Sequence, residues 1–168
     1  MKSDNSISGI QYMRAHGNTA GPTHRPLLTG LLSGITAAAP ALAIRYFSNA
    51  LTSEANALGF GLWAATLIDL AIFVILGLVY ALIFQRAANE MYSGWLLGIS
   101  FGFLTWVVGP VTLWNWTAGI PLATGFAAMG SFASHLAYGL TLGGVYPIVN
   151  RVTQTKLNGS EMSRSDQV

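Results

Sequence analysis

The chain has 168 residues, of which only 8% are charged and 52% are hydrophobic, with a formal net charge of +2. Soluble domains carry roughly 25% charged residues, so this composition excludes an ordinary water-covered surface and points to one that faces lipid. The absence of cysteine excludes disulfides, thiolate metal sites and cysteine nucleophiles, and the absence of a basic stripe argues against nucleic acid as a partner.

Residues 1–25 are polar and have no apolar stretch, so they read as a tail and not as a secretory signal. Four apolar segments follow, near residues 27–47, 60–84, 94–114 and 122–147. Each has the ~20 residues that a helix needs to cross the hydrocarbon core. Continuous runs of this length fit helices better than barrel strands. Pro121 suits the first turn of the fourth helix. The links, near residues 48–59, 85–93 and 115–121, are too short to hold a folded domain. Residues 150–168 form a second polar tail. The expected fold is therefore an all-α polytopic bundle of four transmembrane helices, with the membrane domain over residues 26–149.

The basic residues set the orientation. Lys2, Arg14, Arg25, Arg86, Arg151, Lys156 and Arg164 all fall on one side of a four-pass chain, and only Arg45 falls towards the other. The majority side is cytoplasmic in a bacterial inner membrane, which puts both ends in the cytoplasm. Trp63, Trp114 and Trp116 then lie at the outer interface and Trp95 at the inner one.

The two halves resemble each other. Residues 69–80 align with residues 135–146 at an offset of 66, with six of twelve positions identical, among them Gly77/Gly143 and Tyr80/Tyr146. Residues 29–36 align with residues 93–100 at an offset of 64, with four of eight identical. Each half is a hairpin entering from the cytoplasm, so the expected relation is a parallel repeat about an axis along the membrane normal. Asp69 and His135 are equivalent in it and fall near the bilayer centre. Both lie on stripes of small residues: Gly61, Ala65, Asp69, Phe73 and Gly77 in one helix, and Ala127, Ser131, His135, Gly139 and Gly143 in the other. Gly94, Gly98 and Gly102 form a third stripe. Such spacing lets helix backbones approach closely. Tyr80 and Tyr146 share these faces near the cytoplasmic interface.

The last segment carries His135, Tyr138, Gly139, Leu142, Gly143 and Tyr146. This His-x-x-Tyr-Gly-x-x-Leu-Gly-x-x-Tyr pattern resembles that of small, uncharacterised four-helix bacterial inner-membrane proteins, over about residues 60–149. The resemblance implies a topology and no activity. Asp69 lies outside the pattern.

An ionisable group at midplane is costly and is a functional candidate. Asp69 and His135 are expected to hydrogen-bond across the bundle, directly or through one water, as register-setting glue, as a proton- or ion-handling pair or as a contact site for another subunit. Arg45 is a rival partner for Asp69, although its side chain could instead snorkel to the outer headgroups. One membrane histidine builds neither a bis-His haem nor a zinc site. Ser131 and Ser134 share a helix with His135, where hydroxyls back-bond to carbonyls. No catalytic residue, metal or cofactor is therefore expected. Pro40 and Pro110 are expected to kink their helices; the commoner meaning is a pair of tolerated transmembrane prolines, and the alternative is a small outward-facing cavity above Asp69. The leading expectation is a non-enzymatic accessory or structural component, in contact with the lipid bilayer and with a membrane-protein partner or further copies of itself. The alternative is a small transporter or proton-conducting protein using Asp69 and His135.

Overall fold

The computed structural model describes residues 23–90, 93–117 and 119–165, with side chains as far as Thr153. Most of the first tail and the last three residues lie outside this range. The described residues are helical and contain no strand. Helix α1 spans Pro26–Phe47, α2 Ala50–Leu58, α3 Leu62–Ile83 and α4 Gly94–Trp106. A π-helical segment, Val107–Thr117, continues α4, and α5 spans Gly125–Ser165. Among the described residues three runs are long and apolar enough to cross a membrane: α1, α3, and α4 with its π extension. Their outward faces bear exposed Leu31, Ile35, Leu67, Ile75, Phe103 and Leu104. An apolar surface of this extent has its natural solvent in lipid.

The ends of each element have local causes. Pro26 occupies the first turn of α1, where its missing N–H is no loss. Pro40 is carried inside α1 without ending it. The link near residues 48–59 is not a simple connection, because most of it is the helix α2. Asn49 adopts a left-handed conformation between α1 and α2, which Asn tolerates. Gly59, also left-handed, ends α2, with Phe60 N–H bonded to the Ala55 carbonyl and Gly59 N–H to that of Asn56. Leu51 and Ala55 anchor α2 on Ala65 of α3.

Proline acts differently in α4. Its ring crowds the carbonyl four residues earlier and it donates no hydrogen bond. For Pro110 that carbonyl belongs to Trp106, the residue at which α4 gives way to the wider π winding. The fourth apolar segment enters its helix at Gly125, so Pro121 precedes the helix and does not open it. The same helix runs through Pro147 to Ser165, into the stretch expected to be a polar tail.

Close backbone approach governs the packing. Helix α1 lies between α3 and α5, and α5 lies between α1 and α4. At the α1–α3 crossing a Cβ on Gly77 would stand 2.7 Å from both the Gly30 carbonyl oxygen and the Gly34 Cα. At the α4–α5 crossing a Cβ on Gly98 would overlap the Gly139 carbonyl and stand 2.9 Å from the Gly143 Cα. Gly94 faces Gly143, and Gly102 faces the His135 carbonyl. The stripe on α3 is buried from Ala65 through Asp69, Phe73 and Gly77 to Tyr80, whereas Gly61 is exposed. Helices α3 and α4 do not pack backbone to backbone. Aromatic side chains bridge them at one end, where the Tyr80 ring of α3 lies 5.1 Å from Phe101 of α4 and also meets Phe84 at 5.3 Å and Tyr146 of α5 at 5.6 Å.

Polar groups close the same end. The Thr23 and Tyr146 hydroxyls lie 3.0 Å apart, and Thr23 donates to the Gln85 carbonyl. Asn89 donates to Thr23, and Asn150 donates to Asn89. The last residues of the N-terminal tail therefore join the base of the bundle.

Candidate functional site

Where α3 and α4 stand apart, a cavity of about 550 Å³ runs along the gap. Its long walls are apolar, with Ile72, Leu76, Val79 and Ile83 on α3 and Phe101 and Leu104 on α4. Much of the rim is exposed, including Ile83 at 64% and Leu104 at 54%, so the cavity is a groove that reaches the lipid-facing surface. The π segment widens it further, adding Val108, Gly109, Pro110, Leu113 and Trp114.

The charged lining is confined to one cluster. Arg45, in the last turn of α1, is 5% exposed and lies between two carboxylates. Its Nε is 2.5 Å from Asp69 Oδ2 on α3, and its Nη2 contacts Glu54 Oε2 on α2. A planar guanidinium can serve two carboxylates from different edges, which a lysine ammonium does less well. Taking charges out of water is expensive, and mutual attraction offsets that only where the groups are well paired. Here two carboxylates share one guanidinium.

His135 lines the groove from α5. Its Nδ1 lies 2.8 Å from the Ser131 carbonyl of its own helix, and the Ser134 hydroxyl lies 3.5 Å from the same nitrogen while donating to that carbonyl. A carbonyl only accepts, so Nδ1 carries the proton, and in the neutral ring Nε2 is left as a lone-pair acceptor. Nε2 has no hydrogen-bond partner among the described residues. The ring also meets Phe73 edge-on at 5.7 Å. Phe73 in turn stacks on Tyr138, whose hydroxyl donates to the Phe73 carbonyl at 2.6 Å.

Two expectations change at this point. Asp69 and His135 line one groove, but no direct hydrogen bond joins them. The Asp69 carboxyl is held by Arg45 and the His135 Nδ1 by Ser131. Arg45 does not snorkel, because Glu54 and Asp69 hold its head inside the protein. Glu54 escaped the sequence reading because it fell in a supposed link. Its signal was the spacing of Leu51, Ala55 and Leu58, which marks one helical face, together with its rarity as an acid between the first two apolar segments. Tyr80 and Tyr146 meet at the aromatic end, away from the charged cluster. Gly94, Gly98, Gly102, Gly139 and Gly143 all lie in the α4–α5 crossing. Trp63 and Trp116 are 84% and 80% exposed, whereas Trp114 lines the groove. Among the described residues no three metal-ligating side chains converge.

No family model, curated protein or solved structure matches the chain.

Proposed function

We propose that the chain crosses a bacterial inner membrane four times, with both ends in the cytoplasm, and works as a small, non-enzymatic, proton-linked transporter. The observation that carries this reading is the groove between α3 and α4, which ends on the Arg45–Glu54–Asp69 cluster, with Arg45 and Asp69 buried and Glu54 half-buried. With both carboxylates ionised and His135 neutral, the cluster holds one negative charge in excess. A net charge at this depth is costly, so a proton or a cationic solute is needed to neutralise it. A site that must hold one or the other has the elements of exchange.

The four-pass reading is supported by the hairpin repeat. At the offsets of 64 and 66, Gly30 and Gly34 correspond to Gly94 and Gly98, and Gly77 corresponds to Gly143. These are the glycines in contact at the α1–α3 and α4–α5 crossings. In this reading α5 supplies the fourth span. It is less apolar than the others because its inward face carries Ser131, Ser134, His135 and Tyr138.

Two experiments test the proposal. Reporter fusions in residues 85–90 should report cytoplasm and fusions in residues 115–117 the outside; a cytoplasmic signal from the second position contradicts the topology. In proteoliposomes with an imposed pH gradient, a panel of small charged and neutral solutes is added in turn. At least one solute should collapse the gradient faster with the native protein than with Asp69→Asn. If none does, and a stoichiometric partner copurifies from native membranes, the chain is an accessory subunit.

A further inference from the structure

The groove narrows the choice of solute. Its titratable and charged lining consists of Arg45, Glu54, Asp69 and His135, and nothing else in the lining carries charge. Two carboxylates against one guanidinium leave one negative charge for a ligand to meet. His135 adds an independent sign of a ligand. The residue is 6% exposed, lines the groove, and presents an Nε2 acceptor with no partner. An acceptor suits an N–H or C–H donor on a cation and opposes an anionic group.

The rest of the lining is apolar and aromatic. Phe73, Phe101, Trp106 and Trp114 all contribute. Aromatic faces attract cations, and more strongly where water is excluded. The cavity volume of about 550 Å³ falls within the range of small-molecule sites, about 300–1,000 Å³. A second copy of the chain is a poor occupant, because Arg45 is its one basic residue within the apolar segments and is already paired.

We infer that the groove binds a monovalent, lipophilic organic cation, with the ring system or alkyl chain between α3 and α4 and the charge over Asp69 and Glu54. The inference rests on the transport reading for its purpose but not for its test. A cation that enters through the lipid-facing rim stays in an apolar medium along its hydrophobic part. It meets its counter-charge only at the outer half of α3. A proton on Asp69, Glu54 or His135 adds positive charge to the same site and competes with it.

The test is equilibrium binding of tetraphenylphosphonium to the purified full chain in mild detergent, with tetraphenylborate as an anion of matching size and shape. The phosphonium should bind saturably and the borate should not. Binding should weaken as pH falls. Asp69→Asn and Glu54→Gln should each weaken it by about tenfold, since each removes the excess charge, and thermal melting shows whether each variant is folded. If neither carboxylate variant folds, Leu104→Trp, which fills the groove from its exposed rim, should abolish binding with an unchanged melting temperature. Equal binding of the two ions, or undiminished binding in folded variants of both kinds, overturns the inference. Saturable phosphonium binding without gradient collapse in proteoliposomes upholds it while removing transport. Gradient collapse by other solutes, with no phosphonium binding, does the reverse.

Discussion

Helix α1 meets α5 along a closed seam, whereas α3 and α4 stand apart across the groove. Under the proposed repeat these two interfaces are equivalent. The difference lies in side-chain size. Helix α1 buries Ala37, Ala38 and Ala41 completely. The positions of α4 that correspond to Ala37 and Ala41 at the offset of 64 are Phe101 and Thr105, and both line the groove. Gly130 on α5 also admits Ser48, which follows α1. In lipid there is little hydrophobic drive to bring helices together, so small residues decide which seams close. Pro110 then splays the C-terminal continuation of α4 into a π winding. A duplicated hairpin can in this way yield one tight interface and one binding groove.

The contrast can be broken from several sides. The largest effect is expected for Arg45→Leu. It leaves the buried Asp69 and the half-buried Glu54 without a cation, and removal of one partner from a buried ion pair costs about 3–5 kcal/mol. Detergent melting should show the loss, and Asp69→Leu should cost less because Glu54 still holds Arg45. Next comes Gly98→Leu at the tight α4–α5 crossing. It forces backbones apart, and overpacking of this kind costs about 1–3 kcal/mol. Leu97→Ala, at a half-buried neighbour, should cost less. If the two are equal, the α4–α5 crossing is not a backbone contact. Tyr138→Phe removes the hydroxyl donated to the Phe73 carbonyl, worth about 0.5–1.5 kcal/mol. The smallest effect belongs to Leu104→Trp at the open rim, where surface changes stay within about 0.5 kcal/mol. A large loss there would mean that the groove is a packed interface.

The small-residue stripes were legible because their spacing maps directly onto one helix face. Gly98, Gly102, Gly139 and Gly143 were placed on packing faces by periodicity alone. The partner of Asp69 was less legible. Helical periodicity gives a face and a depth but not which of several polar groups reaches across, and the long Arg45 side chain outcompetes the shorter reach of His135. Glu54 depended on the folding of a supposed link into α2. The groove needed two facts about α4 that residue spacing does not give, the bulk of Phe101 across from α3 and the change of winding at Trp106, although Pro110 marked the continuation of α4 as a place where a cavity could open.

The asymmetry between the two interfaces is open to direct measurement, because the chain has no native cysteine to give background labelling. Ala41→Cys and Thr105→Cys occupy equivalent positions of the proposed repeat, one in the closed core and one on the groove. A small maleimide reacts with the thiolate and so needs an accessible site. The account predicts rapid labelling at Thr105→Cys in native membranes, slowed by tetraphenylphosphonium, and no labelling at Ala41→Cys. Equal labelling at both positions, or protection at Thr105→Cys before any ligand is added, would contradict it.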